Sequence, residues 1–291
     1  MQRRTKRQVK RIIRYALIIV VTAFFIFPLI WLGLTSIKPR AVLFDKPSWS
    51  SLFFEPTAKN YIDVFYREQY GLPPVRTYFE MLLVNSLLIS LASVGLSTII
   101  GTLAAWAFSR FEMRGKNTMM FFILSTRMLP PIATLVPLYL LYRALGFMYT
   151  HHGLILLYTM FTLAFSVWMM KGFIDEIPKE LEEAAMVDGH SRLGAFFKAT
   201  LPQALTAMAA TAMFCLMTAW NEYAFALVVT GTDWTHARTA PVQLAKTFGE
   251  SGYNWGLITA SELIYLIPVI IITFIMQEYL LRGITFGTIK R

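Results

Sequence analysis

The residues best suited to bind a small molecule are the polar and aromatic side chains at positions 220–223. Trp220, Asn221, Glu222 and Tyr223 place an amide and a carboxylate between two aromatic rings. A sugar offers hydroxyl groups to amides and carboxylates and C–H faces to aromatic rings, so this combination suits a polyhydroxylated ligand. The same side chains could instead pair helices, for example through Glu222 and Arg127. The sequence leaves both interpretations open.

Further polar residues lie inside apolar segments, where an ionisable side chain is by default a functional hypothesis. We therefore add to the candidate translocation path Asn85, Ser86, Arg127 and Glu262.

Residue types that would carry catalysis or hold a metal are poorly represented. The four histidines show no HExxH spacing, and the chain lacks a Gly-x-x-x-x-Gly-Lys-Ser/Thr motif. The single cysteine, Cys215, permits neither an intrachain disulfide nor a cysteine metal cluster, and we expect it to pack in a helix interface. We predict no catalytic residue, metal or cofactor, and any ATPase that drives this chain must be another polypeptide.

These side chains must be positioned by membrane-spanning helices. Of the 291 residues, 56% are hydrophobic and 15% charged, and the mean hydropathy is +0.53. The apolar runs reach about 20 residues or more, the length that an α-helix needs to cross a bilayer. Continuous apolarity excludes the alternating pattern of a barrel strand. We predict an all-α protein with spans at 15–37, 81–108, 117–143, 153–172, 203–230 and 255–281.

The distribution of basic residues predicts the orientation. Residues 1–14 carry seven basic side chains and no acid, and 109–116 and the tail 282–291 are also basic, whereas 144–152 has none. The positive-inside rule then makes both termini and the 173–202 loop cytoplasmic and 38–80 extracytoplasmic, with 81–281 as the permease core. The net charge of +10 lies at span ends and does not indicate nucleic acid. The first span is too long for a cleaved signal peptide, so we expect it to be retained.

The 173–202 loop carries strong helix signals. Pro178 suits a first helical turn, and three glutamates at 180, 182 and 183 lie near the positive end of the helix dipole. Leu181, Ala184, Ala185 and Asp188 share one face, and Gly189 can end the helix. The two alanines would allow close contact with another protein.

A second short helix is predicted at about 191–199, followed by Leu201 and Pro202, where the proline can begin the next span. The alternative, a passive connection between spans, does not explain the length of the loop or its six acids on the side that normally carries positive charge.

Prolines and glycines mark other irregular segments. Pro130, Pro131 and Pro137 exclude one regular helix over 117–143, which leaves either a broken span beside a cavity or a simple kink. We expect the proline-rich segment 38–80 to form a cap packed on the spans or a surface that binds a partner protein. Gly249 and Gly252 would let the segment 231–254 turn tightly, unless that segment is a passive link.

Specific motifs resemble a known family. Glu183-Ala184-Ala185, three residues, Gly189, nine residues and Ala199-Thr200-Leu201-Pro202 are similar to the cytoplasmic signature loop of permease subunits of bacterial binding-protein-dependent ABC importers, which usually has isoleucine where Ala199 stands. Phrases over 127–287 narrow the resemblance to the carbohydrate branch, similar to the six-span second permease of maltose-type transporters. They are Arg127-Met128-Leu129-Pro130-Pro131, Pro137-Leu138-Tyr139, Ile177-Pro178-Lys179-Glu180-Leu181-Glu182, Trp220-Asn221-Glu222 and the run from Leu281 to Gly287.

The resemblance implies a type I importer permease in the bacterial inner membrane. Its partners would be a second permease, two ATPase subunits, an extracytoplasmic solute-binding protein and a carbohydrate or polyol. The ATPase-coupling residues would be Glu183, Ala184, Ala185, Asp188, Gly189, Leu201 and Pro202, and Gly249 and Gly252 would lie toward the binding protein.

Functions of two other classes explain the sequence less well. A proton-driven secondary transporter could use Glu222 and Glu262, but no internal inverted repeat is detectable and the 173–202 loop would be unexplained. An intramembrane hydrolase would need a convergent nucleophile and base, or a metal pair, and the sequence shows neither. A permease of the same family for a solute other than a sugar stays open, and the sequence does not identify the solute.

Overall fold

The structure, a computed structural model, describes residues 2–44, 53–69, 72–231, 236–250 and 254–286. In chain order its elements are α1 (Gln2–Ser36), α2 (Arg40–Phe44), α3 (Lys59–Phe65), β1 (Tyr66–Gln69), β2 (Leu72–Arg76), α4 (Phe79–Arg110), α5 (Lys116–Ser125), α6 (Pro131–Leu145), α7 (His151–Glu176), α8 (Glu180–Val187), α9 (Arg192–Ala195), α10 (Leu201–Trp220), α11 (Ala224–Thr230), α12 (Ala240–Glu250) and α13 (Trp255–Phe286). The all-α prediction is confirmed, apart from one β-hairpin.

The predicted spans are recovered as long apolar helices. Among the described residues, five helices have the length and composition to cross a membrane: Gln8–Ser36, Phe79–Arg110, His151–Glu176, Arg192–Trp220 and Trp255–Glu278. The third predicted span is the bent pair Lys116–Met128 and Pro131–Leu145, whose two parts meet at 95°. The prediction that 117–143 is not one regular helix is thus confirmed.

Local chemistry explains that bend. A 3₁₀ turn (Thr126–Met128) follows α5, and Leu129 and Pro130 are then extended with ψ of 125° and 126°. Both residues precede a proline, which disfavours the helical conformation. Pro131 begins α6, where its missing N–H leaves no partner unsatisfied.

The fifth span differs from the prediction of one helix over 203–230. Helix α10 ends at Trp220, residues 221–223 are irregular, and α11 continues to Thr230. At the other end, α9, a π-helical turn (Phe196–Thr200) and α10 follow one another without a gap, so the helix begins at Arg192. The proline at 202 removes one backbone donor and its ring would crowd the preceding turn, and the wider π turn accommodates this.

The chain divides into two compact units, of which the first comprises Met1–Phe79 and Lys246–Leu266. Here β1 and β2 pair antiparallel, with Tyr66 opposite Arg76. The Asn60 side chain donates to the backbone oxygens of Ser36 and Lys38 at 2.8 and 2.9 Å. Gly256 lies against Asn60 so closely that a Cβ would come within 2.6 Å of its amide. Asn60 of the predicted extracytoplasmic segment 38–80 is therefore tied to the end of α1 and to the residues that follow it.

The second unit comprises Glu80–Ala245 and Ile267–Arg291 and holds most of the apolar core. Helices α4 and α7 approach closely at Gly101, where a Cβ would lie 2.5 Å from the Cβ of Ser166. Cys215 is 1% exposed and contacts the Ser166 hydroxyl at 3.3 Å, which confirms its predicted packing role. Small residues allow such close helix packing in membranes.

Candidate coupling site

The helix predicted in the 173–202 loop is α8, and both of its ends are built as expected. It begins at Glu180, two residues after the predicted start, and carries three glutamates in its first turn. Gly189 has φ of +88°, and the N–H groups of Gly189 and His190 donate to the oxygens of Met186 and Ala185 at 3.0 and 3.1 Å. These two bonds form a Schellman motif, which uses a left-handed glycine to end a helix.

The second half of the loop also begins with a cap. The Ser191 hydroxyl accepts from the Gly194 N–H at 3.1 Å, and α9 follows. The predicted second helix is present, but it does not stop before Leu201 and Pro202. Pro202 lies in the first turn of α10, inside the continuous helix from Arg192 to Trp220.

The face of α8 that points away from the chain is made of small, apolar and acidic residues. Val187 is 87% exposed and Leu181 40%, and Ala184 and Asp188 are also exposed. Ala185 is buried within the chain. The predicted pair of contact alanines is therefore split, and Ala184 lies on the outer face while Ala185 packs inward.

Glu182 faces inward with Ala185 and is the residue that sequence reasoning missed. Its carboxylate accepts from Arg110 Nε at 2.7 Å, from Trp106 Nε1 at 3.1 Å and from the Thr200 hydroxyl. The Arg110 and Glu182 side chains are 8% and 9% exposed. Glu182 thus connects α8 to the end of α4 and to the residue that precedes α10.

The electrostatics of this carboxylate follow from its partners. Burial disfavours the charged form, but hydrogen bonds from Thr200, Arg110 and Trp106 outweigh that effect. The pKa of Glu182 is therefore lower than its ordinary value. The side chain is held as an anion at neutral pH.

Neighbouring contacts fix the loop further. Arg110 Nη2 donates to the Ile177 oxygen at 2.8 Å, just before α8. The Trp106 ring packs against Phe196 and Phe111, with centroids 4.9 and 5.3 Å apart. Ala105, Met170, Ile174, Ala204 and Ala207 complete this cluster, which joins α4, α7 and α10 beneath the loop. The loop rests on the ends of three long helices as one packed body.

The residues at 220–223 separate into two kinds. Trp220 is 2% exposed, whereas Asn221 and Tyr223 are exposed. The Glu222 carboxylate accepts from the N–H groups of Phe225 and Ala226 at 2.8 and 3.0 Å and from the Tyr158 hydroxyl at 2.9 Å. Glu222 therefore caps α11.

Arg127, suggested as a partner of Glu222, instead donates from Nη1 to the Phe161 oxygen at 2.8 Å. Glu222 instead pairs with the Tyr158 side chain of α7, while its place on the solute path stays a prediction.

Asn85 and Ser86 bind backbone in the segment that follows α11. Asn85 Nδ2 donates to the oxygens of His236 and Arg238 at 2.7 and 2.9 Å, and the Ser86 hydroxyl accepts from the Ala240 N–H at 2.8 Å. Both side chains are buried, so they position this segment.

The remaining candidates lie elsewhere. In the first unit, Glu262 lines a cavity of about 640 Å³ together with Lys38 and two tryptophans, Trp31 and Trp255. Gly249 lies near the end of α12 and is helical, so it is not the tight turn that was expected. Gly252 lies outside the described residues.

Comparison with known proteins gives consistent matches. Residues 97–286 match the family model described as the inner membrane component of binding-protein-dependent transport systems. The chain is 33% identical to the trehalose/maltose transport system permease protein of Thermococcus litoralis, with 97% of each chain covered. It is 32% identical to the sulfoquinovosyl glycerol transport system permease protein of Agrobacterium fabrum, over 91% of this chain and 89% of that one.

Solved structures agree on the fold. A chain of a bacterial ABC transporter involved in the import of the acidic polysaccharide alginate matches with a TM-score of 0.73 and 22% identity, covering 94% of this chain and 96% of that one. The predicted type I permease architecture is confirmed.

Proposed function

Because the chain belongs to the family of inner membrane components of binding-protein-dependent transport systems, we propose that it is the permease subunit of an ATP-driven importer of a carbohydrate or related polyol. The family's members are permeases without an ATPase site of their own. Both relatives named above carry the name of a sugar or sugar derivative, which supports a carbohydrate as the solute.

The observation that carries the proposal is the way α8 is held. Its inner face is fixed by Glu182 to Arg110 and Trp106, and its outer face presents Ala184, Val187 and Asp188. A separate ATPase that binds the outer face of α8 would displace this helix as a rigid unit. The packed cluster beneath would pass that displacement to α4, α7 and α10, as rigid-body alternating access requires.

The orientation is part of the proposal. The positive-inside rule makes both termini and the 173–202 loop cytoplasmic, so α8 would meet the ATPase there. The complex would contain this permease, a second permease, two ATPase subunits and an extracytoplasmic solute-binding protein. The contact residues for the ATPase would be Glu183, Ala184, Asp188 and Gly189 on α8 and its cap, and no such contact is assigned to the buried Ala185.

An ion-coupled secondary transporter is disfavoured by the environment of Glu222. Its two carboxylate oxygens are already engaged by two backbone amides and a tyrosine hydroxyl. A carboxylate that must bind and release an ion during transport would lose these bonds and uncap α11 in each cycle.

Uptake by the complete complex in proteoliposomes tests the proposal. We expect labelled sugar to accumulate only with the binding protein outside and ATP inside, and to accumulate equally when a protonophore is added. Accumulation without any ATPase subunit, or accumulation that stops with the protonophore while ATP is intact, would contradict it. A Glu222→Gln variant distinguishes this proposal from a proton-coupled transporter. Glutamine cannot be protonated and deprotonated, so proton-coupled uptake through this side chain would be lost, whereas ATP-driven uptake does not depend on that titration.

A further inference from the structure

Arg127 lies at mid-membrane depth in the break of the third span. It belongs to the 3₁₀ turn after α5, and its side chain is exposed. Its Nη1 donates to the oxygen of Phe161, the eleventh of the 26 residues of α7. With a rise of about 1.5 Å per residue, Phe161 lies roughly 15 Å along that helix, near the centre of a hydrocarbon core about 30 Å thick.

A guanidinium at that depth requires a reason. Charged side chains inside membranes usually pair with an acid or mark the route of a ligand. Within the described ranges, Arg127 forms no salt bridge, and the one hydrogen bond to Phe161 leaves most of its five N–H donors for another group.

A small pocket adjoins this side chain. It has a volume of about 100 Å³ and is lined by Arg127, Thr162, Phe165, Phe214, Cys215 and Thr218. Ligand pockets for whole small molecules usually measure about 300–1,000 Å³. A pocket of this size holds a single substituent, about three water volumes, and not a sugar ring.

The polar side chains that line the pocket have defined roles as hydrogen-bond donors or acceptors. The hydroxyls of Thr162 and Thr218 donate to the oxygens of Tyr158 and Phe214 at 2.7 and 3.0 Å. Because both hydroxyl hydrogens are engaged, these two pocket-lining residues can serve a ligand hydroxyl only as acceptors. Arg127 is the donor, and its planar fork matches a carboxylate or another oxyanion.

Phe161 of α7 contacts residues at or next to two helix breaks of the second unit. The ring of Phe161, whose oxygen binds Arg127, stacks on Phe225 of α11 with centroids 4.3 Å apart. Thr218 lies in the last turn of α10, three residues before the exposed C-cap residue Asn221, so the two lie on the same side of the helix end. Broken helices at mid-membrane depth typically line substrate sites in transporters.

We propose that Arg127 and this pocket bind an anionic substituent, a carboxylate or sulfonate, of the transported carbohydrate, with Thr162 and Thr218 accepting from neighbouring hydroxyls. This inference rests on the proposed function, because it names the solute class of the same permease. An acidic sugar crossing a low-dielectric region needs a positive partner to offset the loss of hydration.

Saturation-transfer NMR on the complete transporter in nanodiscs, without binding protein, tests the pocket directly. The probes are glucuronate, 6-deoxy-6-sulfoglucose and glucose, compared in the wild type and in Arg127→Gln, Arg127→Lys and Arg143→Gln. Arg143 is an exposed arginine at the other end of α6 and is the matched control.

In Arg127→Gln we expect the signal of at least one anionic probe, relative to glucose, to fall about tenfold, since a charge-assisted hydrogen bond is lost. Arg127→Lys should restore part of it, and Arg143→Gln should keep the wild-type ratio. Loss for one anion alone assigns the pocket to that anion.

Three results would overturn the inference. The first is an equal loss of the anionic and neutral probe signals in Arg127→Gln, and the second is no loss of either signal in that variant. The third is that the second permease is lost from the purified Arg127→Gln complex while the ratio of anionic to neutral signal stays unchanged. The last would mean that Arg127 pairs with an acid of the partner permease. Because this readout needs no ATP, it is independent of the uptake assay that tests the proposed function.

Discussion

Arg110 Nε lies 2.7 Å from Glu182 Oε1, and less than a tenth of the surface of each side chain is exposed to solvent. The pair joins the last residue of α4 to the first turn of α8. Breaking a buried ion pair from one side leaves a buried charge without its partner, which is far more destabilising than removing both members.

Replacing Arg110 by methionine should therefore lower the free energy of unfolding by about 3–5 kcal/mol, because the Glu182 carboxylate stays buried. The double variant Arg110→Met with Glu182→Leu should recover most of that loss. Denaturant titrations of the purified chain with both single variants complete the double-mutant cycle. Additive losses would show that the two residues do not interact.

The contribution of Glu182 should depend on pH in a defined direction. Its pKa is lower in the folded chain than the ordinary value of 4.5, so its stabilisation is complete above about that pH and is lost as the pH falls through the lower folded value. The stability difference between wild type and Glu182→Gln should thus be constant near neutrality and shrink on acidification below pH 5. Glu180→Gln removes a charge from an exposed site on the same helix. The same acid-sensitive difference in that control would refute the role of the buried carboxylate.

Gly189 tests the cap of α8 without any steric complication. Its φ is +88° and a Cβ would meet nothing within 4 Å, so a substitution is penalised only through the backbone. Valine should cost roughly 1–2 kcal/mol or more in this region, whereas asparagine adopts it more readily. We expect Gly189→Val to insert normally and to lose association with the ATPase in co-purification, and Gly189→Asn to retain most of it. Full ATPase coupling by the valine variant would contradict the proposed coupling site.

Two glycines of α4 give a matched test of helix packing. At Gly101 a Cβ would lie 2.5 Å from the Ser166 Cβ, while at Gly95 it would meet nothing within 4 Å. Gly101→Ala should destabilise by about 1–3 kcal/mol through overpacking. Gly95→Ala should be neutral or slightly stabilising, because alanine is the better helix former. The measurement is the thermal unfolding midpoint of each variant. Equal midpoints for Gly101→Ala and Gly95→Ala would argue against close contact of α4 and α7.

Local signals explain what could be predicted from the sequence. The spans follow from the lengths of apolar runs, the break at Pro130 and Pro131 from proline sterics, and the end of α8 from a glycine that tolerates positive φ. Each of these depends on a few consecutive residues, so one sequence contains the necessary information.

Long-range pairing explains what could not be predicted. Glu182 resembles the other acids of its loop until Arg110, 72 residues earlier, is placed beside it. The break after Trp220 is likewise hidden, since the apolar run continues to Thr230 and the cap at Glu222 depends on Tyr158, 64 residues away. Which of two adjacent alanines faces outward is also set by packing.

The continuous helix from Arg192 to Trp220 has a mechanical consequence. Its 29 residues span roughly 43 Å and follow one another as one continuous helix, with a π-helical turn at Phe196–Thr200. Each degree of tilt about Arg192 would move Trp220 by roughly 0.75 Å. The far end of this helix adjoins the irregular segment that presents Asn221 and Tyr223, so a small tilt at the end beside α8 would become a larger displacement of these two exposed side chains.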